Sequence, residues 1–367
     1  MKTKMIAIIT VMALAFVGFA AFAADSSDAA DPKTVTDGEG VSFEYTKPTD
    51  HIVTMGYAST LTVARLGAID KIVGVDPYST YDYTKDERLK ELNATDLGSI
   101  YSASNNDKIV AQLLQWVEAG KFHTDDTVIL TAYTNALVLR TLLTDAGFTH
   151  VLVYRTITDY DNVVKFVNDL SIIITGDTSK LVKDMEAVKD TVEDGLKSVT
   201  TKTKGLTVWY SAPSGAFSVG NTGSIAASLL ESAGGDNIAY DSGKNSQYGD
   251  KNLIVQLLDD NDKDVVIFLS NVYLNDHTID DFRNGVLGGD RSIKIVVLKP
   301  TWNNYCPDAS EGLWAIASAL YPDIFDAETQ PEADDTPESG SDTYLIIGAI
   351  VVVIVVVASI AIYIRRP

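Results

Sequence analysis

The feature that most restricts the fold of this sequence is a long amphipathic helix with alternating strands and helices on both sides of it. Between about Thr178 and Ser198, apolar residues recur at spacings of three and four, which predicts one helix with a single apolar stripe. The stripe consists of Leu181, Met185, Val188, Val192, Leu196 and Val199. Gly176 and Gly205 lie at its ends. Because a single long helix makes a stiff connection, the pattern predicts two lobes that close on each other only slightly.

Short β-branched runs alternate with helical patterns before and after this helix. The strand runs are residues 52–55, 72–75, 127–130 and 151–154 on one side and residues 206–210, 265–269 and 295–298 on the other. Strand–helix alternation is typical of a parallel sheet with helices on both faces. The sequence therefore predicts two doubly wound α/β lobes joined by one long spine helix, with a ligand cleft between the lobes. The N-terminal lobe is predicted at residues 47–158, the linking helical segment with the spine helix at 159–203 and the C-terminal lobe at 204–326.

The N-terminal end has the pattern of a secretory signal peptide. Lys2 and Lys4 precede an apolar run that ends in Ala21-Phe22-Ala23, which predicts a cleaved leader over residues 1–23. The alternative is an N-terminal membrane helix that is retained. Residues 24–46 are rich in Asp, Ser, Ala and Gly and lack periodicity, which predicts a flexible stalk.

The C-terminal end predicts a membrane anchor. An acidic linker over residues 327–343 precedes an uncharged apolar run at 344–364, and Arg365 and Arg366 follow it. At 1.5 Å per residue, a helix of this run would span a bilayer, and the arginines favour a cytoplasmic C-terminus. A buried core helix is the alternative. The predicted localisation is the cell surface, with the body outside and anchored to the cytoplasmic membrane.

Charge and cysteine content exclude several classes of partner and cofactor. There are 29 Lys and Arg residues against 50 Asp and Glu residues, a net charge of -21, which repels nucleic acid and anionic membrane surfaces. The single cysteine, Cys306, excludes an intrachain disulfide, an iron–sulfur cluster held by cysteines and a zinc site of four thiolates. No cofactor is predicted.

Five segments follow one another in a fixed order on the two sides of the spine helix. They are Leu61–Asp76, Asp96–Ser99, Asn106–Ile109, Leu230–Ala239 and Ala319–Phe325. Together they resemble the substrate-binding proteins of ABC importers for cobalamin, haem and iron–siderophores, over about residues 48 to 326. The resemblance implies an extracytoplasmic receptor that captures a metal chelate (iron–siderophore, haem or corrinoid) and delivers it to an ABC permease with a separate ATPase.

The resemblance also implies two docking carboxylates. In that family an acidic side chain on the top of each lobe meets arginines of the membrane subunits. The matching residue of the first lobe is Asp107, and in the second lobe it is Asp250 or Lys251, of which we choose Asp250. The alternative is that these carboxylates only stabilise helix N-termini.

Aromatic residues follow the predicted strands, where open α/β sheets bind ligands. They are Tyr57, Tyr101, Tyr133, Trp209, Tyr210, Phe217, Trp302 and Tyr305. Such rings suit a flat or hydrophobic ligand, although the alternative for each is packing within its lobe. A preformed cleft between Trp209 and Trp302 is predicted. Arginine is scarce in these loops, with Arg140 and Arg155 nearby in sequence, which disfavours a strongly anionic iron chelate.

No pattern of catalytic or metal-binding residues is apparent. The four histidines, His51, His123, His150 and His277, lack a ligand spacing such as H-x3-H, so no metal site is predicted. Ser211–Gly215 lacks the G-x-S-x-G frame of a serine nucleophile. We therefore predict that the protein is not an enzyme. The main alternative function is a cell-envelope sensor or interaction protein that has this fold but no transporter.

Overall fold

The computed structural model has two α/β lobes with a shared central core. The residues that it describes are 31–131, 135–155, 157–220, 223–240, 251–261, 265–289 and 292–331. The predicted signal peptide and the apolar run at 344–364 lie outside these ranges.

The N-terminal lobe is built on a parallel sheet of five strands with the order β5-β4-β3-β6-β7. In chain order its elements are β1 (Lys33–Thr36), β2 (Ser42–Tyr45), β3 (Ile52–Met55), α1 (Tyr57–Arg65), β4 (Ile72–Val75), α2 (Tyr81–Thr84), β5 (Thr95–Asp96), α3 (Asn106–Glu118), β6 (Thr127–Leu130), α4 (Ala136–Asp145) and β7 (His150–Val153). Successive side chains of a strand point to opposite faces. Ile129 of β6 therefore faces the shared core, whereas Val128 and Leu130 face a second apolar cluster that includes residues of α3 and α4.

The C-terminal lobe is built on a sheet of four parallel strands and one antiparallel strand. Its elements are β8 (Lys204–Ser211), β9 (Ala216–Val219), α7 (Ile225–Ser232), β10 (Asp236–Asn237), α8 (Asn252–Asp260), β11 (Val265–Ser270), α9 (Ile279–Gly285), β12 (Lys294–Leu298) and α10 (Ala309–Leu320). Strands β10-β8-β11-β12 are parallel, and β9 pairs antiparallel with the last residues of β8. In β11, Val266 and Phe268 face the shared core and Ile267 faces the outer cluster of this lobe.

Two helices, not one, connect the lobes. The predicted spine helix is present as α6 (Lys180–Leu196), and it follows a second helix, α5 (Tyr160–Thr175), that the sequence analysis did not separate. Gly176 ends α5 in the left-handed conformation, with φ of 85°, which allows the chain to turn into α6. Helix α5 contacts α1 of one lobe and α7 of the other, and α6 contacts α10. The connection is therefore a pair of packed helices within the shared core.

The prediction of a flexible stalk over residues 24–46 is wrong for its second half. Residues 33–45 form an antiparallel hairpin of β1 and β2, in which Val35 and Tyr45 are buried in the shared core. The turn is fixed by Asp37, whose Oδ1 accepts hydrogen bonds from the backbone N–H groups of Glu39 and Val41, both at 2.9 Å. Composition alone missed the hairpin because its few apolar residues find their contacts only after the lobe has folded.

The predicted membrane anchor and the localisation that depends on it are corrected. Within the described ranges, no helix has both the length and the apolar character needed to cross a membrane. The run at 344–364, on which the prediction rested, lies outside those ranges.

Candidate functional site

The strand order of each sheet reverses at one point. The reversal lies between β3 and β6 in the N-terminal sheet and between β8 and β11 in the C-terminal sheet. Open α/β sheets bind ligands at such switch points, beyond the carboxyl ends of the strands. Gly56 and Thr131 follow β3 and β6 at the first switch point, where a Cβ on Gly56 would lie only 1.8 Å from Thr131 Oγ1. Glycine therefore allows the turn after β3 to approach β6 closely.

Tyr305 connects a loop of the C-terminal lobe with the end of β6. It follows β12 and a short 3-10 helix, Pro300–Asn303, and its hydroxyl donates a hydrogen bond of 3.2 Å to the carbonyl oxygen of Thr131. Burial raises the pKa of Tyr305 to about 12, and the charges of Tyr101 and Asp76 add to the shift. A loop of the C-terminal lobe thus reaches the switch point of the N-terminal lobe.

Three tyrosines form an exposed group on the N-terminal side, which we call the N-lobe tyrosine group: Tyr78, Tyr83 and Tyr101. Their side chains are 37%, 65% and 60% exposed. The Tyr78 ring lies 5.1 Å from Tyr83 and 5.8 Å from Tyr101, edge to face in both pairs. Of the three, the sequence analysis selected only Tyr101. Tyr78 could have been found by the same rule, because it lies three residues beyond the end of β4.

Beside this group lies a buried carboxylate. Asp76 follows β4 directly and is fully buried, and the Ser79 hydroxyl donates a hydrogen bond to its Oδ1. Within the described part of the chain, its Oδ2 has no hydrogen-bond partner. Burial raises the pKa of Asp76 to about 6, in spite of the Ser79 hydrogen bond, which lowers it. The sequence analysis missed Asp76 as a site residue, because an aspartate after a strand is ordinary until its burial is known.

Four rings form a second group in the C-terminal lobe, which we call the C-lobe aromatic group: Tyr210, Phe217, Tyr273 and His277. The Tyr210 ring lies 5.1 Å from Phe217 and 5.0 Å from Tyr273, and His277 stacks on Tyr273 at 4.6 Å. Phe217 and Tyr273 are buried. Tyr210 and Phe217 were predicted site residues, and the structure places them together.

Other aromatic residues that were predicted to bind ligand pack against neighbouring residues of the protein. Trp302 is buried, and its ring contacts Gly312 of α10. Trp209 is half-buried and lines a small cavity of about 130 Å³ together with Asn303. The Tyr57 hydroxyl donates a hydrogen bond of 2.6 Å to Asp86 Oδ2. These contacts support packing roles for Trp302 and Tyr57, and the site proposed below does not include them.

An ion-pair network joins the lobes next to Tyr57. Asp308, which precedes α10 and is only 3% exposed, accepts hydrogen bonds from Arg65 at 2.6 Å and from Arg88 at 2.7 Å and 2.8 Å. Arg88 also contacts Asp86 at 2.8 Å. Although burial opposes ionisation, hydrogen bonds from Arg88 and Tyr57 lower the pKa of Asp86 to about 2. Two arginines and two carboxylates thus balance each other across the lobe boundary.

Arg140 and Arg155, the two arginines of the N-terminal lobe that the sequence analysis noted, each form an ion pair with a carboxylate of the β1–β2 hairpin. Arg140 contacts Asp37 at 2.6 Å, and Arg155 contacts Glu39 at 2.7 Å. The Arg155 hydrogen bond lowers the pKa of Glu39. Because each arginine is paired with a carboxylate, neither pair adds net positive charge to this part of the N-terminal lobe.

The remaining predicted residues lie elsewhere. Asp107 is exposed in the first turn of α3. Tyr133 and Asp250 lie outside the described residues. A cavity of about 870 Å³ is lined by residues of α6, β12 and α10, and by Lys299 and Trp302, which follow the carboxyl end of β12.

Solved structures with this fold come from several organisms. CeuE of Helicobacter pylori, titled as a nickel–histidine complex, has a TM-score of 0.59 and 19% identity, over 80% of this chain and 90% of its own. The periplasmic haem-binding protein RhuT of Roseiflexus sp. RS-1 has a TM-score of 0.55 and 18% identity, over 75% and 98%. The periplasmic vitamin B12-binding protein BtuF of Vibrio cholerae has a TM-score of 0.54 and 16% identity, over 77% and 99%. The chain has the two-lobe fold of the periplasmic binding proteins. This confirms the predicted α/β architecture with two lobes.

Comparison by sequence adds nothing to this result. No protein-family model matches the chain. No curated protein matches it either.

Proposed function

We propose that the protein is an extracytoplasmic receptor that binds a metal chelate between its lobes and delivers it to an ABC permease. The observation that carries the proposal is the N-lobe tyrosine group, three exposed rings that follow the carboxyl ends of β4 and β5. A planar or hydrophobic ligand would stack on such rings and bury apolar area against them. The solved structures named above are a nickel–histidine complex, a haem-binding protein and a vitamin B12-binding protein, and each of these ligands is a metal chelate.

The charges of the site indicate which net charge the bound chelate has. Because Arg140 and Arg155 are paired with hairpin carboxylates, the edge offers little attraction to a strongly anionic ligand. A neutral or cationic chelate, or a corrinoid, fits these charges best.

The proposal is for binding and not for catalysis. The chain has one thiol, Cys306, and burial raises its pKa, so it would be a poor nucleophile. It donates a hydrogen bond to the carbonyl oxygen of Thr301 and packs against Ala58 and Leu61. These contacts support a packing role.

Binding to the N-lobe tyrosine group tests the proposal. We would titrate the protein with haemin, cyanocobalamin and a ferric hydroxamate by calorimetry and identify which one binds. For that ligand, the double variant Tyr78→Ala and Tyr101→Ala should weaken binding about tenfold, because each aromatic contact contributes roughly 0.5–1.5 kcal/mol. Val138→Ala is the control, since Val138 is 53% exposed on α4. Unchanged affinity in the double variant would show that the site is elsewhere.

Delivery to a permease has a separate test. Asp107 is exposed on α3, where it could meet an arginine of a membrane subunit. The variant Asp107→Lys should keep its ligand affinity in solution but lose ligand uptake in cells. If uptake persists, Asp107 is only a helix-terminal charge. If no uptake occurs even in the unaltered protein, a sensor role replaces the transport role.

A further inference from the structure

Two histidines and an aspartate converge at the amino-terminal edge of the N-terminal sheet, opposite to the strand ends described above. His51 directly precedes β3, and Asp126 directly precedes β6. The Nδ1 atoms of His51 and His123 lie 3.2 Å and 3.4 Å from Asp126 Oδ2. One ligand atom from each of the three residues lies within 4.8 Å of the others.

These separations resemble the edges of a metal coordination sphere. A tetrahedral ion with bonds of about 2.0–2.1 Å to nitrogen and oxygen holds its ligand atoms roughly 3.3 Å apart. Two imidazoles with one carboxylate form a donor set that suits first-row transition ions, whereas Mg²⁺ and Ca²⁺ prefer oxygen ligands alone. A small movement of the two rings toward each other would complete three positions of such a sphere.

The carboxylate of this cluster is held in place by the backbone. Asp126 is 4% exposed, and its side chain accepts hydrogen bonds from the backbone N–H groups of His51 at 3.2 Å and His123 at 2.7 Å. Parallel pairing of Ile52 with Thr127 fixes the distance between the two loops. A metal ligand that is buried and oriented in this way needs little reorganisation on binding.

The cluster is also open to solvent on one side. The His123 side chain is 58% exposed and that of His51 is 35% exposed. A groove of about 280 Å³ is lined by His123 and Asp126 and by the further acids Asp50 and Asp125. Ions can therefore enter, and water could fill the remaining coordination positions.

We propose that His51, His123 and Asp126 bind a divalent first-row transition ion such as Zn²⁺ or Co²⁺. The ion would fasten the loop before β3 to the loop before β6. The site lies at the edge opposite to the proposed chelate site and does not depend on it. The sequence analysis expected no metal site because the two histidines are far apart in the chain and share no ligand spacing.

Cobalt provides a direct test, since it gives visible absorption bands when bound. The full chain, freed of metal with a chelator, should bind one equivalent of Co²⁺ with a visible spectrum, and Zn²⁺ should displace it. His123→Ala and His51→Ala should each weaken Co²⁺ binding at least tenfold. The background is low, because the chain has only four histidines and one buried cysteine.

His277→Ala is the matched control, because it removes one imidazole from the C-lobe aromatic group. Its Co²⁺ affinity should equal that of the unaltered protein. Far-UV circular dichroism would show whether each variant is folded. His123→Ala is expected to fold normally, because the His123 side chain is exposed. The site is refuted if His123→Ala and His51→Ala bind Co²⁺ as tightly as the unaltered protein, or if His277→Ala loses as much affinity as they do.

Discussion

The two lobes hold their aromatic side chains in different ways. The N-lobe tyrosine group stands on short segments after β4 and β5, and all three rings are exposed to solvent. In the C-lobe aromatic group, Tyr273 and Phe217 are buried and pack against Phe282 of α9. Antiparallel pairing of β9 with β8 places Phe217 directly opposite Tyr210. One lobe thus presents rings that a ligand can reach, and the other uses most of its rings to stabilise its own core.

Stability measurements test this contrast most strongly. Tyr273→Ala should lower the free energy of unfolding by about 3–4 kcal/mol, because it leaves a cavity among buried rings. Tyr101→Ala removes an exposed ring and should change stability by less than about 1 kcal/mol. Urea denaturation of both variants measures the difference. Equal losses would mean that the two groups play the same role.

The second prediction concerns the ion-pair network at the lobe boundary. Asp308→Ala leaves Arg65 and Arg88 without their buried partner and should destabilise the protein by about 2–4 kcal/mol, a range reduced because both arginines are about one-third exposed. Thermal unfolding should remain one transition at a lower temperature. The control is Asp194→Ala, which removes an exposed pair with Lys197 and should change little. A loss no larger than that of the control would show that the network does not stabilise the lobe boundary.

The third prediction tests Asp76, the buried carboxylate that follows β4. The folded pKa of Asp76 lies at about 6, above its ordinary value of 3.8, so the folded state binds this proton more tightly than the unfolded state. Its contribution to stability is therefore present below about pH 4 and is lost as the pH rises through 6. Asp76→Asn removes the titrating group and should raise the free energy of unfolding at pH 7 by about 2 kcal/mol, with no gain at pH 4.

Urea denaturation across this pH range measures the effect. Asp82→Asn is a suitable control, because Asp82 is a solvent-exposed aspartate on α2. Parallel pH curves for Asp76→Asn and the unaltered protein would contradict the prediction.

Much of the fold could be predicted because it depends on local patterns. The apolar runs at β3, β6 and β11 are buried on both faces, so they read as continuous β-branched segments. The stripe of α6 has the period of a helix packed on one side. The hairpin at residues 33–45 has no such pattern, because Val35 and Tyr45 are the two buried apolar residues of its strands.

The candidate site could be predicted only as a set of strand ends. The rule that ligands lie beyond strand ends found Tyr101 and Tyr210, but it could not separate exposed rings from buried ones such as Trp302 and Phe217. Exposure depends on which helix covers a loop, and that is decided by packing between distant segments.

The sequence by itself determined the alternation of strands and helices, because the spacing of apolar residues along a short segment differs between the two. The tertiary structure alone decided which distant side chains meet. Asp308 contacts Arg65 across 243 positions of the chain, and Asp126 contacts His51 across 75. Pairs of this kind are selected by the geometry of the folded sheets and their loops. No local spacing can encode them, because the intervening chain contributes no fixed distance until it has folded.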